Sequence, residues 1–462
     1  MTALGLLLSL VVILVAGAAI ARLLGGQEHP FYRAELTALS WLLGTGYVTL
    51  AWWGLGAFLS GWWLVAAVGA GGLFLAGLAF RRGWPRVCVV RDSSDKLGLP
   101  DWLLIGLLVG QAAFIAYWAP RIALGWDGLM IWELKARLAF ENGGVLPGSY
   151  FADVDRAWSH PDYPLAFPYL ETWFYRCLGH VDQAWVRLLG PLYYFAGAAL
   201  VATGTRRLGG SRRVGLAAAA ALFFVPYLFG GLWGVLSGYA DFPLGVVFLG
   251  ALLHLPGLRE SKAGDDRLFA VLAALLVWGK REGRFLWLAL ILLAAVALLP
   301  RRRWRTLLMI AAPGAVLLVG FEAFLAAMHT VKDPTYLPVT LGNLQANADR
   351  LGTIVERIGA ELIKLESWGL LWIGFAFALV ALTVRGRRAL AARFACALLL
   401  PLAAYALPFM LTTWGDFRVH MALALPRLLL HLAPAAMLAI ALAWPPRPAP
   451  AMGGDAKQDP QP

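Results

Sequence analysis

Asp127 follows directly on a hydrophobic span, in Ala119-Pro-Arg-Ile-Ala-Leu-Gly-Trp-Asp-Gly-Leu-Met-Ile-Trp-Glu-Leu-Lys-Ala-Arg137, and opens the longest polar stretch of a mostly apolar chain. A carboxylate at the lip of a bilayer can accept a proton from an incoming hydroxyl held within hydrogen-bond reach. Four other groups could join it. In Ser159-His160-Pro161-Asp162-Tyr163-Pro164 the two prolines stiffen the turn and hold His160, Asp162 and Tyr163 in a fixed geometry, although an ordinary Pro turn at a helix start has the same pattern. Asp241, in Ser237-Gly-Tyr-Ala-Asp-Phe-Pro243, stands at the start of a span, where an acid also suits a helix N-terminus. Lys280, Arg281, Glu282 and Arg284 interrupt an apolar region, and charges there mark a pocket. Arg427 and His431 are spaced i,i+4 near the end of the chain, and a guanidinium with an imidazole one turn deeper suits a phosphate at membrane level. A snorkelling Arg and a core His would give the same spacing.

Elements that could hold these groups are membrane helices. The chain has 462 residues, is 60% hydrophobic and only 14% charged, and has repeated apolar runs of about 20 residues, enough to cross roughly 30 Å of hydrocarbon. An all-α polytopic membrane protein of about thirteen transmembrane helices is expected, with spans at 3–24, 36–59, 61–80, 101–121, 184–205, 214–232, 238–257, 268–279, 285–299, 306–327, 367–384, 390–411 and 428–444. The first is read as a helix and not a signal peptide, because it lacks a basic start and is long. Cys88, Cys177 and Cys396 lie in separate segments without metal or redox spacing.

The basic residues orient the chain. Loops near 22–35, 81–101, 206–213, 258–267, 301–305 and 385–393, with the C-terminal tail, hold most of the Lys and Arg and are expected in the cytoplasm. The formal net charge of +12 is therefore a membrane-anchoring feature, with no nucleic-acid motif to compete for it. The remaining polar stretches, 122–183, Leu232 to Gly238, 280–284, 328–366 and 412–427, then share the opposite face, where nucleotide sugars and ATP are absent. Within 122–183 the run Leu129–Phe140 reads as an interfacial helix with Leu129, Trp132, Ala136 and Phe140 on one face. Glu133 and Arg137 on it are spaced for an ion pair. Asp153-Val-Asp155 could bind a divalent cation, but an acidic pair in a solvated loop is also plain surface, so a metal stays unassigned.

Taken in order, Trp-Asp after an early span, His-Pro-Asp-Tyr-Pro, Gly-Tyr-Ala-Asp-Phe-Pro, Lys-Arg-Glu-Gly and Pro-Arg-Leu-Leu-Leu-His resemble bacterial membrane glycosyltransferases of the GT-C superfamily. The nearest branches are the protein mannosyltransferase-like and aminoarabinose transferase-like members of glycosyltransferase family 39. The resemblance spans about residues 100–440. It implies a GT-C-type bundle at 101–445, with juxtamembrane helices in the extracytoplasmic loop 122–183, preceded by a three-helix membrane segment at 1–100 and followed by a disordered cytoplasmic tail at 446–462. It also implies an inverting enzyme in the bacterial inner (plasma) membrane. This enzyme would move a monosaccharide from a polyprenyl-phosphate donor to a lipid, glycan or protein acceptor on the extracytoplasmic face.

In that family an Asp of the first outer loop is the general base, and the matching residue here is Asp127. The family's adjacent acid pair is missing, since Gly128 follows, so a second acid comes from Glu133, Asp162 or elsewhere. A leaving phosphate needs positive charge more than a proton, which assigns Lys280 and Arg427 to the donor phosphate with His431 supporting Arg427. Glu133, His160, Asp162, Tyr163, Asp241 and Glu282 would position substrate or the bases. Two other classes fit the composition: a transporter or lipid flippase for envelope glycoconjugates, with charges among interrupted helices, and a non-catalytic envelope-assembly subunit. No internal repeat supports the first, and the second has no need of Asp127, Lys280 and Arg427.

Overall fold

The structure, a computed structural model, describes residues 2–26, 31–83, 97–230, 234–258 and 263–444. Cys88, Leu232 at the start of its turn, the tail at 446–462 and parts of the loops at 22–35, 81–101 and 258–267 lie outside the described residues. Every named element is a helix.

Seven helices among the described residues are long and apolar enough to cross a membrane: Ala3–Gly25, Gly61–Arg81, Leu99–Trp118, Gln183–Arg207, Gly283–Arg301, Trp304–Ala327 and Arg388–Leu411. An eighth is obtained by joining Phe417–Leu430 to Ala433–Ala443 across a 49° bend. The chain is thus a multi-pass membrane protein, and the count of about thirteen spans expected from hydropathy is too high. The excess has a physical reason. Helix Arg33–Leu55 is long, but Thr, Ser, Gly and Trp dilute it. The expected spans at 214–232, 238–257, 268–279 and 367–384 overlap helices Arg212–Leu222, Asp241–Leu253, Ala263–Gly279 and Leu371–Val384, of 11, 13, 17 and 14 residues. At 1.5 Å per residue these are about 17 to 26 Å long, short of the hydrocarbon thickness. An apolar run is needed by a helix enclosed in protein as much as by one facing lipid, so hydropathy alone cannot separate the two.

Asp241–Leu253 is the clearest case. All 13 of its residues are buried, packed among Leu189–Arg207, Ala263–Gly279 and Ala433–Ala443. It forms the centre of the molecule and presents Asp241 at its N-terminus.

The segment 122–183 folds back onto the helix ends. Its largest helix, Ala166–Leu178, buries nearly all its residues against Thr2–Gly25 and Arg33–Leu55. Trp indoles tie the layers together: Trp173 Nε1 donates to the Ser9 carbonyl at 3.3 Å, Trp52 Nε1 to the Gly144 carbonyl at 2.7 Å and Trp278 Nε1 to Thr49 Oγ1 at 2.9 Å. Leu129–Phe140 is not a surface-lying helix with one apolar stripe. Gly128–Glu133 is a wide π turn and Leu134–Glu141 an α-helix, and Ile131, Trp132, Glu133, Lys135, Ala136 and Ala139 are all buried.

Contacts between loops sort into the two sets that the basic residues indicate. Glu35 pairs with Arg207, Asp101 with Arg212 and Arg213, and Asp266 with Arg303. Arg387 donates to the carbonyls of Leu208 and Leu442. At the other end Asp162 meets Arg281, His160 meets Asp333 and Asp127 meets Arg427.

Candidate functional site

Asp241 is the hub. It is the first residue of a fully enclosed helix, so its carboxylate is favoured by the helix N-terminus and yet removed from water. Lys280 Nζ donates to Oδ1 at 2.6 Å, His431 Nε2 lies 3.1 Å from the same oxygen, and Arg427 Nη2 donates to Oδ2 at 3.2 Å. A buried carboxylate survives only with such partners, and removing one from a buried pair typically costs about 3–5 kcal/mol. Lys280 reaches this point because the chain turns tightly between Ala263–Gly279 and Gly283–Leu298. An added Cβ at Gly283 would stand 1.8 Å from the Leu276 carbonyl oxygen, so no other residue fits that turn. Lys280 also faces Glu282 at 3.3 Å.

Arg427 joins this hub to Asp127. Its Nη2 donates to Asp127 Oδ2 as well as to Asp241, and its guanidinium lies 4.6 Å over the Tyr239 ring. Tyr239 Oη in turn accepts the Asp127 backbone N–H at 3.1 Å. Asp127 sits this close because Gly125 N–H donates to the Ser237 carbonyl at 2.8 Å and Gly128 rests against the same backbone. A Cβ at Gly128 would come 2.4 Å from the Ser237 oxygen. Glycine in place of the second acid is therefore a packing requirement of the Asp127 turn.

Asp127 and Arg427 face a cleft of about 330 Å³, also lined by Trp126, Ile131, His160, Tyr163, Asp241, Lys280, Glu282, Thr335, Tyr336, Trp414, His420 and Leu428. The second wall comes from 328–340, which is stitched to 411–413 by an antiparallel bridge between Tyr336 and Thr412. Leu337 N–H donates to the Leu411 carbonyl at 2.8 Å and Thr413 N–H to the Thr335 carbonyl at 2.9 Å. His160, in a left-handed conformation at φ 51°, stacks on Tyr163 and lies 2.9 Å from Asp333 through Nδ1. Burial disfavours the Asp333 carboxylate, but His160 and Thr335 outweigh it and bring its pKa down to about 2. Lys135 Nζ donates to the His160 carbonyl at 2.6 Å, and burial pushes its pKa down to about 7 against the pull of Asp162 and Asp127.

Of the residues singled out in the sequence, Asp127, Asp241, Lys280, Glu282, Arg427, His160 and Tyr163 share this cleft. His431 is completely buried behind Asp241 and held by Tyr405 Oη, 2.8 Å from Nδ1, so it reaches the cleft only through Asp241. Asp162 turns away and binds Arg281 at 2.7 Å. Glu133 lies elsewhere, accepting from Arg137 at 2.8 Å and Tyr175 at 3.3 Å beside Glu171, whose pKa is raised by burial and then by Glu133. The i,i+4 ion pair is thus what its spacing encodes. Asp153 accepts the Asp155 N–H at 2.9 Å and pairs with Arg156, a turn-capping arrangement. Among the described residues no three His, Cys, Asp or Glu side chains group as a metal site.

Sequence reasoning passed over Tyr239, Tyr405, Asp333, Tyr336, Trp414 and His420. Three of them had a usable signal: Tyr239 stands two residues before Asp241 in Gly-Tyr-Ala-Asp-Phe-Pro, and Trp414 and His420 precede Arg427 in Trp414-Gly-Asp-Phe-Arg-Val-His420. No family model, curated protein or solved structure matches the chain.

Proposed function

We propose that the protein is a membrane glycosyltransferase of the GT-C type, similar to family 39. It would transfer a monosaccharide with inversion from a polyprenyl-phosphate donor to a lipid, glycan or protein acceptor on the extracytoplasmic face of a bacterial plasma membrane. The observation that carries this reading is the meeting of Asp127 with Arg427, residues 300 apart in sequence, on the wall of one cleft beside Lys280.

The pair suggests how binding and chemistry are coupled. Arg427 pairs with Asp127 and neutralises it. A donor phosphate is a competing anion with the same preference for the planar guanidinium, and by engaging Arg427 it would release the Asp127 carboxylate. Asp127 then takes the proton of the acceptor hydroxyl as its oxygen attacks the sugar C1. The bond from C1 to the phosphate oxygen breaks, and the electron pair leaves on polyprenyl phosphate. Lys280 and Arg427 stabilise that charge, while Asp241, with His431 and Tyr405 behind it, holds both cations in place.

The test is incubation of purified protein in lipid with a panel of polyprenyl-phosphate monosaccharides, following loss of sugar from the donor. Turnover of at least one donor that disappears in Asp127→Asn is the expected result. No turnover of any donor, with or without added glycan and lipid acceptors, counts against the reading. A transporter would instead move the intact lipid across the bilayer, and that outcome would replace it.

A further inference from the structure

The charged floor of the cleft accounts for a phosphate and a hydroxyl, but it leaves an aromatic wall without a role. Trp126 and Trp414 both line the cleft, yet they are 62% and 41% exposed. Large exposed indoles are ordinary in the interfacial belt of a membrane protein. These two differ in their surroundings.

Trp414 is stacked on the His420 imidazole, with ring centres 4.9 Å apart and planes 17° from parallel. That imidazole is itself fixed from three sides. Its Nδ1 lies 2.9 Å from Thr412 Oγ1, its Nε2 lies 3.4 Å from Tyr336 Oη, and the Phe409 ring meets it edge-on at 5.5 Å. Thr412 Oγ1 also accepts the Trp414 backbone N–H at 3.3 Å. A belt residue facing headgroups needs no such support, whereas an indole that must present one plane to a ligand does. Trp126 immediately precedes Asp127, so the Cα atoms of the second indole and of the candidate base are about 3.8 Å apart.

We propose that Trp414 and Trp126 form a stacking subsite for a pyranose ring at the mouth of the cleft, with His420 as the positioning residue that sets the plane of Trp414. A pyranose has a face of C–H groups and an equator of hydroxyls. The C–H groups are weakly positive and suit the negative face of an indole, while the hydroxyls can bond to the polar floor. The subsite holds the ring by its face and leaves the edge to Asp127 and its neighbours. This inference deepens the transferase reading and rests on it for the role of the bound ring.

Saturation-transfer NMR on the full chain in lipid nanodiscs tests it, with methyl glucopyranoside, methyl galactopyranoside and methyl mannopyranoside as probes and sorbitol as a flexible polyol without a ring face. Wild-type protein should saturate the axial C–H protons of at least one pyranoside and not sorbitol. Trp414→Ala or Trp126→Ala should lower that signal about three- to tenfold, the scale of one aromatic contact, and Trp414→Phe should keep most of it. His420→Ala should act like Trp414→Ala, while His420→Phe, which restores a ring behind the indole, should rescue binding; a merely structural His420 would not respond to that choice. An undiminished signal in the Phe and Ala variants alike, or no signal from any of the three pyranosides, overturns the subsite. Binding of bare undecaprenyl phosphate is measured in parallel. If it fails while the Trp-dependent sugar signal persists, the donor reading falls and the stacking subsite stands.

Discussion

One guanidinium serving two carboxylates sets the behaviour of the site at the scale of single residues. Arg427 touches both Asp127 and Asp241, so its loss uncovers one acid facing the cleft and one fully buried. Arg427→Ala should therefore weaken the fold as well as the proposed donor site, by about 3–5 kcal/mol for the buried charge left unpaired. Arg427→Lys is the sharper variant. It keeps the charge but cannot bridge two acids and a phosphate with a planar fork, so donor affinity should fall about tenfold or more with the protein still folded. Equal donor affinity in wild type and Arg427→Lys, measured on donor-loaded nanodiscs, removes Arg427 from the phosphate site. Asp127→Asn separates the other role. It preserves shape and most hydrogen bonding but takes no proton, so transfer should drop about 10²–10⁴-fold while donor binding holds or tightens, since the competitor for Arg427 has lost its charge. Wild-type turnover in Asp127→Asn would make this acid a structural partner of Arg427 and nothing more.

At the scale of elements, two loops make the cleft, and their junction depends on pH. Asp333, on the 328–340 segment, binds His160 of the proline turn. Its folded pKa is lowered from the ordinary carboxylate range to about 2, so the ionised form is preferred in the folded state. The contribution of this contact is then fully present above the unfolded value of about 3.9 and is lost as pH falls towards 2. Hydrogen exchange of 328–340 should accelerate over that interval in wild type. In Asp333→Asn it should be faster already at neutral pH and lack this acid step. An identical profile in both would show that the loop is held by its bridge to Thr412 alone.

What the sequence disclosed follows the same division. Asp241, Lys280 and Arg427 were legible because charges beside apolar runs are costly and therefore conspicuous. Asp333 and Tyr336 belong to a segment whose meeting with 411–413 is decided by a long-range bridge, and neither hydropathy nor spacing carries that information. Glu133 was misleading for a related reason: a carboxylate near Asp127 in sequence looks like its partner, but the π turn over Gly128–Glu133 directs it to Arg137 and Tyr175. The helix count failed where apolar residues face protein, as throughout Asp241–Leu253.

For the whole molecule, the donor chemistry open to the proposed site depends on which face of the membrane bears the cleft. The pairing of basic loops with one another, Glu35 with Arg207, Asp101 with Arg212 and Asp266 with Arg303, gathers positive charge at the end away from Asp127, and such charge favours the cytoplasm. Cysteine labelling tests the sidedness without relying on activity. Gly342 has nothing within 4 Å of an added Cβ and lies on the segment 328–366, while Arg385 is exposed at the end of Leu371–Val384 away from the cleft. In a background with Cys88, Cys177 and Cys396 changed to Ser, Gly342→Cys should react with a membrane-impermeant maleimide applied to intact cells. Arg385→Cys should react only after the membrane is opened. The opposite pattern would turn the cleft towards the cytosol, where nucleotide sugars are soluble and abundant, and a lipid-linked donor would no longer be required by the location of Asp127.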